Sequence, residues 1–150
     1  MATLKISDLS VGDWVQDNYG DYVKVAGIWQ GCNFNYRVDI FRDGRIGTIV
    51  PCNLHPIPIT AEILAKNGFV RCSDEFAIYE YTTLLGKILR TTRVCLTTPQ
   101  SIVVFLHDTT IERGFYHREK TSVSILRDEV YVHDLQHAIR LAGLDKEIYL

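Results

Sequence analysis

Tyr36-Arg37-Val38-Asp39-Ile40-Phe41, then Arg42-Asp43-Gly44, then Arg45-Ile46-Gly47-Thr48-Ile49-Val50, is the stretch that decides the fold of this chain. Two runs of alternating character flank an Asp-Gly pair. Both turn residues tolerate positive φ, so the stretch reads as a β-hairpin. Upstream, residues 10–15 lead into a polar turn, Asp17-Asn18-Tyr19-Gly20-Asp21, and residues 22–29 alternate with the period of a half-buried strand. Residues 30–35 form a loop bearing Gly and Asn. Three or four short, bent strands within about fifty residues curl into a small β-roll or barrel. Its interior needs large side chains, and Trp14, Tyr19, Tyr22, Trp29, Phe34, Tyr36 and Phe41 are read as that filling. The competing reading is a set of exposed aromatics that grip a peptide or nucleic acid, as small barrels of the Tudor and KOW type do.

Pro51, Pro56 and Pro58 exclude a central strand and mark an internal boundary. The predicted modules are 1–55 and 56–150, with room for both to share one core. Ile59-Thr60-Ala61-Glu62-Ile63-Leu64-Ala65-Lys66-Asn67-Gly68-Phe69 follows. Thr60 suits an N-cap, Ile59 and Leu64 a hydrophobic staple, and Gly68 the left-handed residue that ends a helix. Residues 76–81, 93–96 and 101–106 are rich in β-formers, and 114–116 and 122–125 read as shorter strands. Residues 84–90 fit a helical face as well as a strand. Val132, Leu135, Ile139 and Ala142 form one helical stripe closed by Gly143. The fold class is α+β: an N-terminal small β-roll or barrel, then an antiparallel sheet covered by one short and one C-terminal helix.

The chain has 150 residues, 47% hydrophobic and 23% charged, with a net charge of -2. That balance excludes a disordered charged tail and argues against general duplex DNA binding. No apolar run approaches a membrane span, and the start, MATLKISDLSVGDW, is too polar for a signal peptide, so a cytoplasmic location is expected. Cys32, Cys52, Cys72 and Cys95 form no C-x-x-C pair and are read as free thiols. Neither a phosphate-cradling Gly-rich motif nor a nucleophile elbow is present, and no cofactor is expected.

Three constellations carry chemistry. In Arg90-Thr91-Thr92-Arg93, the guanidinium forks of Arg90 and Arg93 match phosphate oxygens and the Thr92 hydroxyl completes the shell. Arg118, with Arg113 and Lys120, would extend the patch, and Tyr79, Tyr81 and Tyr116 would stack on a base. The plain alternative is a charge-balanced surface beside Glu112, Glu119 and Asp128. His107-Asp108-Thr109 is half of the site of two-histidine phosphoesterases, which makes His107 and Thr109 the alternative catalytic pair. No second H-x-T or H-x-S exists in the chain. His133 and His137, spaced i and i+4, face one side of the last helix, where packing is the expected role and metal ligation the competing one.

Two segments resemble a known group. Ile57-Pro58-Ile59-Thr60-Ala61-Glu62-Ile63-Leu64-Ala65-Lys66-Asn67-Gly68-Phe69 and Val130-Tyr131-Val132-His133-Asp134-Leu135-Gln136-His137-Ala138-Ile139 are similar to elements of small uncharacterised proteins encoded by phages and prophages of gut bacteria. Leu9-Ser10-Val11-Gly12-Asp13-Trp14-Val15 matches that group's opening. The resemblance implies a phage or mobile-element origin, and no reaction. Together these observations point to a non-enzymatic binding protein, a counter-defence factor that sequesters a nucleotide-derived immune signal or blocks a host protein. The competing functions are a phosphoesterase acting on a cyclic nucleotide and a structural or assembly protein. The expected partners are a nucleotide-like small molecule or a host protein, and self-association into a homo-oligomer is expected from short β edges.

Overall fold

In the computed structural model, the described residues are 4–31, 35–73, 75–98, 101–112, 115–127, 129–144 and 146–150. Cys32, Phe34, Arg113, Gly114 and Asp128 of the sequence readings lie outside them. The chain divides into two compact units. One holds residues 1–58 with 131–133 and 150, and the other holds 59–130 with 134–149.

The first unit is an antiparallel sheet of β1 (Trp14–Asp17), β2 (Tyr22–Gln30), β3 (Tyr36–Arg42), β4 (Arg45–Ile49) and β5 (Leu54–His55). Their order is β4-β3-β2-β1-β5, with β4 and β5 as edges, so the sheet is open and not a closed barrel. The Asp-Gly turn forms as the sequence dictates: Asp43 and Gly44 both take positive φ, 48° and 79°, and Arg42 pairs with Arg45. Pro51 starts a 3-10 turn over Pro51–Asn53 that leads the chain back to β1. A register shift between Val25 and Gly27 bends β2.

The aromatic filling expected for this unit is not its core. Leu9, Val15, Val23, Val25, Val38, Ile40 and Leu54 are buried together, whereas Tyr19, Tyr22, Trp29, Tyr36 and Phe41 are exposed. Strand periodicity is the reason. In Tyr22-Val23-Lys24-Val25 the valines share one phase and Tyr22 shares the other with Lys24. Branched aliphatic residues fill the narrow interior, and most of the rings fall on the solvent phase.

The second unit is a meander of β6 (Val70–Arg71), β7 (Ala77–Leu85), β8 (Ile88–Thr98), β9 (Ser101–Glu112) and β10 (Phe115–Leu126), ordered β10-β9-β8-β7-β6. The ambiguous segment 84–90 is strand on both sides of a two-residue turn, with Gly86 at φ 63°. Helix α1 (Ala61–Lys66) opens on Thr60, whose Oγ1 accepts from the Ile63 amide at 3.2 Å. It closes on a Schellman motif: Phe69 N donates to Leu64 O and Gly68 N to Ala65 O. Helix α2 (Val132–Leu141) ends the same way, Leu144 N on Ile139 O and Gly143 N on Arg140 O. Its stripe of Val132, Leu135, Ile139 and Ala142 is buried. Such short helices are marginal alone and are held by this burial. No described helix is long and apolar enough to cross a membrane.

Candidate functional site

Register divides the second sheet's side chains between two faces. Tyr79, Val94 and Val104 share a rung, as do Tyr81, Thr92 and Leu106. One rung further lie Thr83, Arg90 and Asp108. This is the packed face: Tyr79, Thr92, Val94, Val104 and Leu106 are buried. Phe69 lies against Tyr81 with ring centroids 5.6 Å apart, and Lys146 Nζ stands 4.0 Å from the Tyr81 centroid. Arg93, Phe105, His107 and Thr109 occupy the alternate phase, on the other face.

The residues read as one ligand patch therefore separate. Arg90, Thr92, Tyr79 and Tyr81 belong to the packed face. Arg93 belongs to the outer one, paired with Phe105, and the register puts Arg118 two rungs and Tyr116 three rungs further along, paired with Thr109 and Ile111. A run of adjacent residues on a strand cannot present one surface, because neighbours point to opposite sides. Thr92 is fully buried, with its hydroxyl unpaired.

Both guanidinium forks are closed by carboxylates. Arg90 Nε donates to Asp108 Oδ1 at 2.8 Å and Nη2 to Oδ2 at 2.6 Å, a bidentate cross-strand pair, while Nη1 reaches Gly143 O at 3.4 Å. Arg93 holds Glu80 Oε1, again across strands, through Nε at 2.6 Å and through Nη2. The hydrogen bonds from Arg90 keep the Asp108 carboxyl below its ordinary 3.8, and those from Arg93 keep Glu80 below its ordinary 4.5. A carboxyl with a depressed folded pKa stabilises the fold above its unfolded value, and that contribution is lost as pH falls through the folded pKa. Wild type will therefore lose stability on acidification below about pH 4 more steeply than Asp108→Asn, which removes this linkage. Denaturant melts at stepped pH measure it, and parallel curves would contradict it.

On the outer face, His107 sits between Thr91 and Lys120 by register. Its ring centroid lies 6.4 Å from that of Phe105, and Lys120 Nζ stands 4.8 Å from the Phe105 centroid. Thr109 shares the His107 phase. His117 pairs with Thr110, one residue out of phase with His107. Cys72 Sγ lies 3.3 Å from Val70 O, and desolvation with the Glu80 carboxylate raises its thiol pKa. Desolvation also raises that of Cys95. Neither thiol is poised as a thiolate nucleophile. Cys52, Cys72 and Cys95 are free.

His133 is buried and stacked on Tyr131, with ring centroids 5.9 Å apart and an interplanar angle of 12°, while His137 is half-buried. Among the described residues no group of three His, Cys, Asp or Glu side chains is placed to hold a metal ion.

Sequence reasoning missed an exposed apolar group at the β7–β8 turn. Leu84 pairs with Leu89 and Leu85 with Ile88 across the turn, and Leu84, Leu85 and Leu89 are exposed. The signal was present in Leu84-Leu85-Gly86-Lys87-Ile88-Leu89, where Gly86-Lys87 suits a two-residue hairpin turn. No family model, curated protein or solved structure matches this chain.

Proposed function

We propose that this chain is a non-enzymatic binding protein of phage or mobile-element origin that acts in the host cytoplasm by docking on a host protein and blocking it. The observation that carries this reading is the β7–β8 hairpin end, where Leu84, Leu85 and Leu89 stand exposed beside one turn. Leu84 and Leu89 pair across the ladder on one face, with Leu85 on the other, and an exposed aliphatic pair at a hairpin end suits an anchor that fills a pocket on a partner. Of the two versions of a counter-defence factor, a protein target is favoured over a nucleotide signal. Arg90 and Arg93, the forks a phosphate would need, are already engaged by Asp108 and Glu80. Self-association belongs to the same proposal, since β10 is a twelve-residue edge strand.

The test compares wild type with the double variant Leu84→Asp/Leu89→Asp as bait in host extract. Both positions are exposed, so the variant is expected to keep the wild-type circular dichroism spectrum despite the like charges it places opposite each other. Wild type is expected to retain one stoichiometric host protein, and the variant at least tenfold less of it. Calorimetry with cyclic oligonucleotides and ADP-ribose-type signals is expected to show no heat. Tight binding of a nucleotide that the double variant preserves would overturn the reading, and breakdown of that nucleotide on incubation would replace it with the His107 phosphoesterase.

A further inference from the structure

The first sheet carries a second surface, independent of the hairpin end. Its outer face is built of three rungs: Trp29–Arg37, then Gly27–Asp39–Thr48, then Trp14–Lys24–Phe41–Ile46. Trp29 and Phe41 are 46% and 47% exposed. Both residues are therefore exposed although aliphatic residues fill the core beneath.

The middle rung is low. Gly27 has no side chain, and a Cβ there would come within 3.3 Å of Asp39 Oδ2. The Asp39 carboxylate is held in place: Thr48 Oγ1 donates to its Oδ1 at 2.6 Å and Trp29 Nε1 to the same atom at 3.3 Å. The Asp39 carboxylate thus lies over Gly27 between two aromatic rungs, each about 7 Å away along the strands. Trp29 is oriented by its bond to Asp39, so its ring is pre-set at little entropic cost to binding.

The charges select the occupant. Lys24 and Arg37 stand on the two aromatic rungs, one on each side of the Asp39 rung, and Lys24 Nζ lies 6.0 Å from the Trp14 ring centroid. Asp39 is the single acid on these rungs, and its Oδ1 already accepts two hydrogen bonds. Its Oδ2 is an acceptor suited to an exocyclic amino group of a base. Cations spaced with rings match a chain of phosphates spaced with flat bases, and they disfavour a basic peptide.

We propose that this face binds single-stranded nucleic acid, with Trp29 and Phe41 stacking on bases and Lys24 and Arg37 meeting the phosphates between them. A duplex hides the base faces that the rings need, and the chain's net charge of -2 provides no broad basic field to hold one.

Fluorescence anisotropy of the full chain with labelled single strands of about twelve nucleotides tests this. Saturable binding is expected, weakening with salt at a log–log slope of about -1.4, from two phosphate contacts at roughly -0.7 each. Phe41→Ala and Trp29→Ala are each expected to weaken it by about tenfold. Arg37→Gln is expected to reduce the salt slope by about half. Phe41→Ala disturbs none of the Asp39 bonds, so it remains informative if Trp29→Ala loosens the sheet. Leu84→Asp/Leu89→Asp is expected to leave the isotherm unchanged, which separates this site from the proposed function. Four results would overturn the assignment: no saturable binding, equal affinity for a duplex, full competition by a mononucleotide, or affinity unaffected by Phe41→Ala.

Discussion

Asp17→Ala will destabilise the protein by about 3–5 kcal/mol, the largest effect expected of any single polar substitution in the chain. The Asp17 side chain has no solvent exposure and sits at the end of β1. Its Oδ1 accepts from the amides of Tyr19 at 2.8 Å and Asp21 at 3.0 Å, which closes the β1–β2 turn. Its Oδ2 meets the Arg42 guanidinium at the end of β3, so one carboxylate ties a turn to a strand two places away in the sheet. Removing it leaves two turn amides without their acceptor and a half-buried cation with only the exposed Asp21 carboxylate, 3.7 Å from Nη1, as counter-ion. A partly buried guanidinium keeps most of its desolvation cost when its partner goes, and that term dominates. Asp17→Asn separates the two contributions, because the amide oxygen can still accept from Tyr19 and Asp21. It is expected to lose less than alanine does, and pairing it with Arg42→Met is expected to recover part of the loss. Urea denaturation of the four proteins provides the comparison. An Asp17→Ala loss below about 1 kcal/mol would mean that the buried pair contributes nothing net, as exposed pairs commonly do.

Asn67→Ala is the second large effect, expected at about 2–3 kcal/mol. Asn67 ends α1 and is buried, and its amide bridges 82 positions of sequence. Nδ2 donates to Ile63 O at 2.7 Å and to Tyr149 O at 2.8 Å, while Oδ1 accepts from Tyr149 N at 2.8 Å. The side chain thus imitates a strand partner for the last residues and holds Ile148, which is fully buried. Alanine leaves the part-buried amide and carbonyl of Tyr149 without their partner, while Ile63 O keeps the Asn67 backbone N–H at 3.2 Å, and an unmet group shielded from water costs more than the bond itself contributed. Hydrogen exchange makes the test local: the Tyr149 amide is expected to lose most of its protection in Asn67→Ala. Unchanged protection there, with a melt like that of wild type, would show that the C-terminus is held by apolar burial alone.

These two residues illustrate where sequence reading reaches its limit. The helix ends were legible because a cap is a local device. Thr60, Gly68 and Gly143 each sit within a few residues of the groups they satisfy, and their bonds form as the residue types demand. Asn67 stands one position before Gly68, and nothing near it in sequence marks its partner as Tyr149. The candidate site failed to read as one surface for a related reason. Arg90, Thr92 and Arg93 look like a cluster in one dimension. The strand sends Arg93 to the face opposite the other two, and Asp108 and Glu80 then neutralise both arginines across the ladder.

The N-terminal aromatics give the complementary lesson. Their phase was visible: Trp29 and Phe41 alternate with Ile28 and Ile40, and the latter pair is the aliphatic one. What could not be read was the register shift between Val25 and Gly27, which puts Trp29 on the same face as Lys24 although their spacing is odd, so that the aromatic phase is also the charged one. The structure buries the branched aliphatics, because the space behind a small open sheet is filled by Val and Ile with less void and less strain than by rings.

By itself the sequence determined the α+β class, the Asp43-Gly44 hairpin, the two Gly-closed helices and the order of strand-rich and helical segments. All of these depend on contacts a few residues apart, where residue type constrains backbone directly. Tertiary structure alone decided which face of each sheet meets solvent, which carboxylate meets which arginine, and that the first sheet stays open. Those outcomes depend on groups distant in sequence competing for the same buried space and the same partners, and that competition is resolved only when the strands are paired.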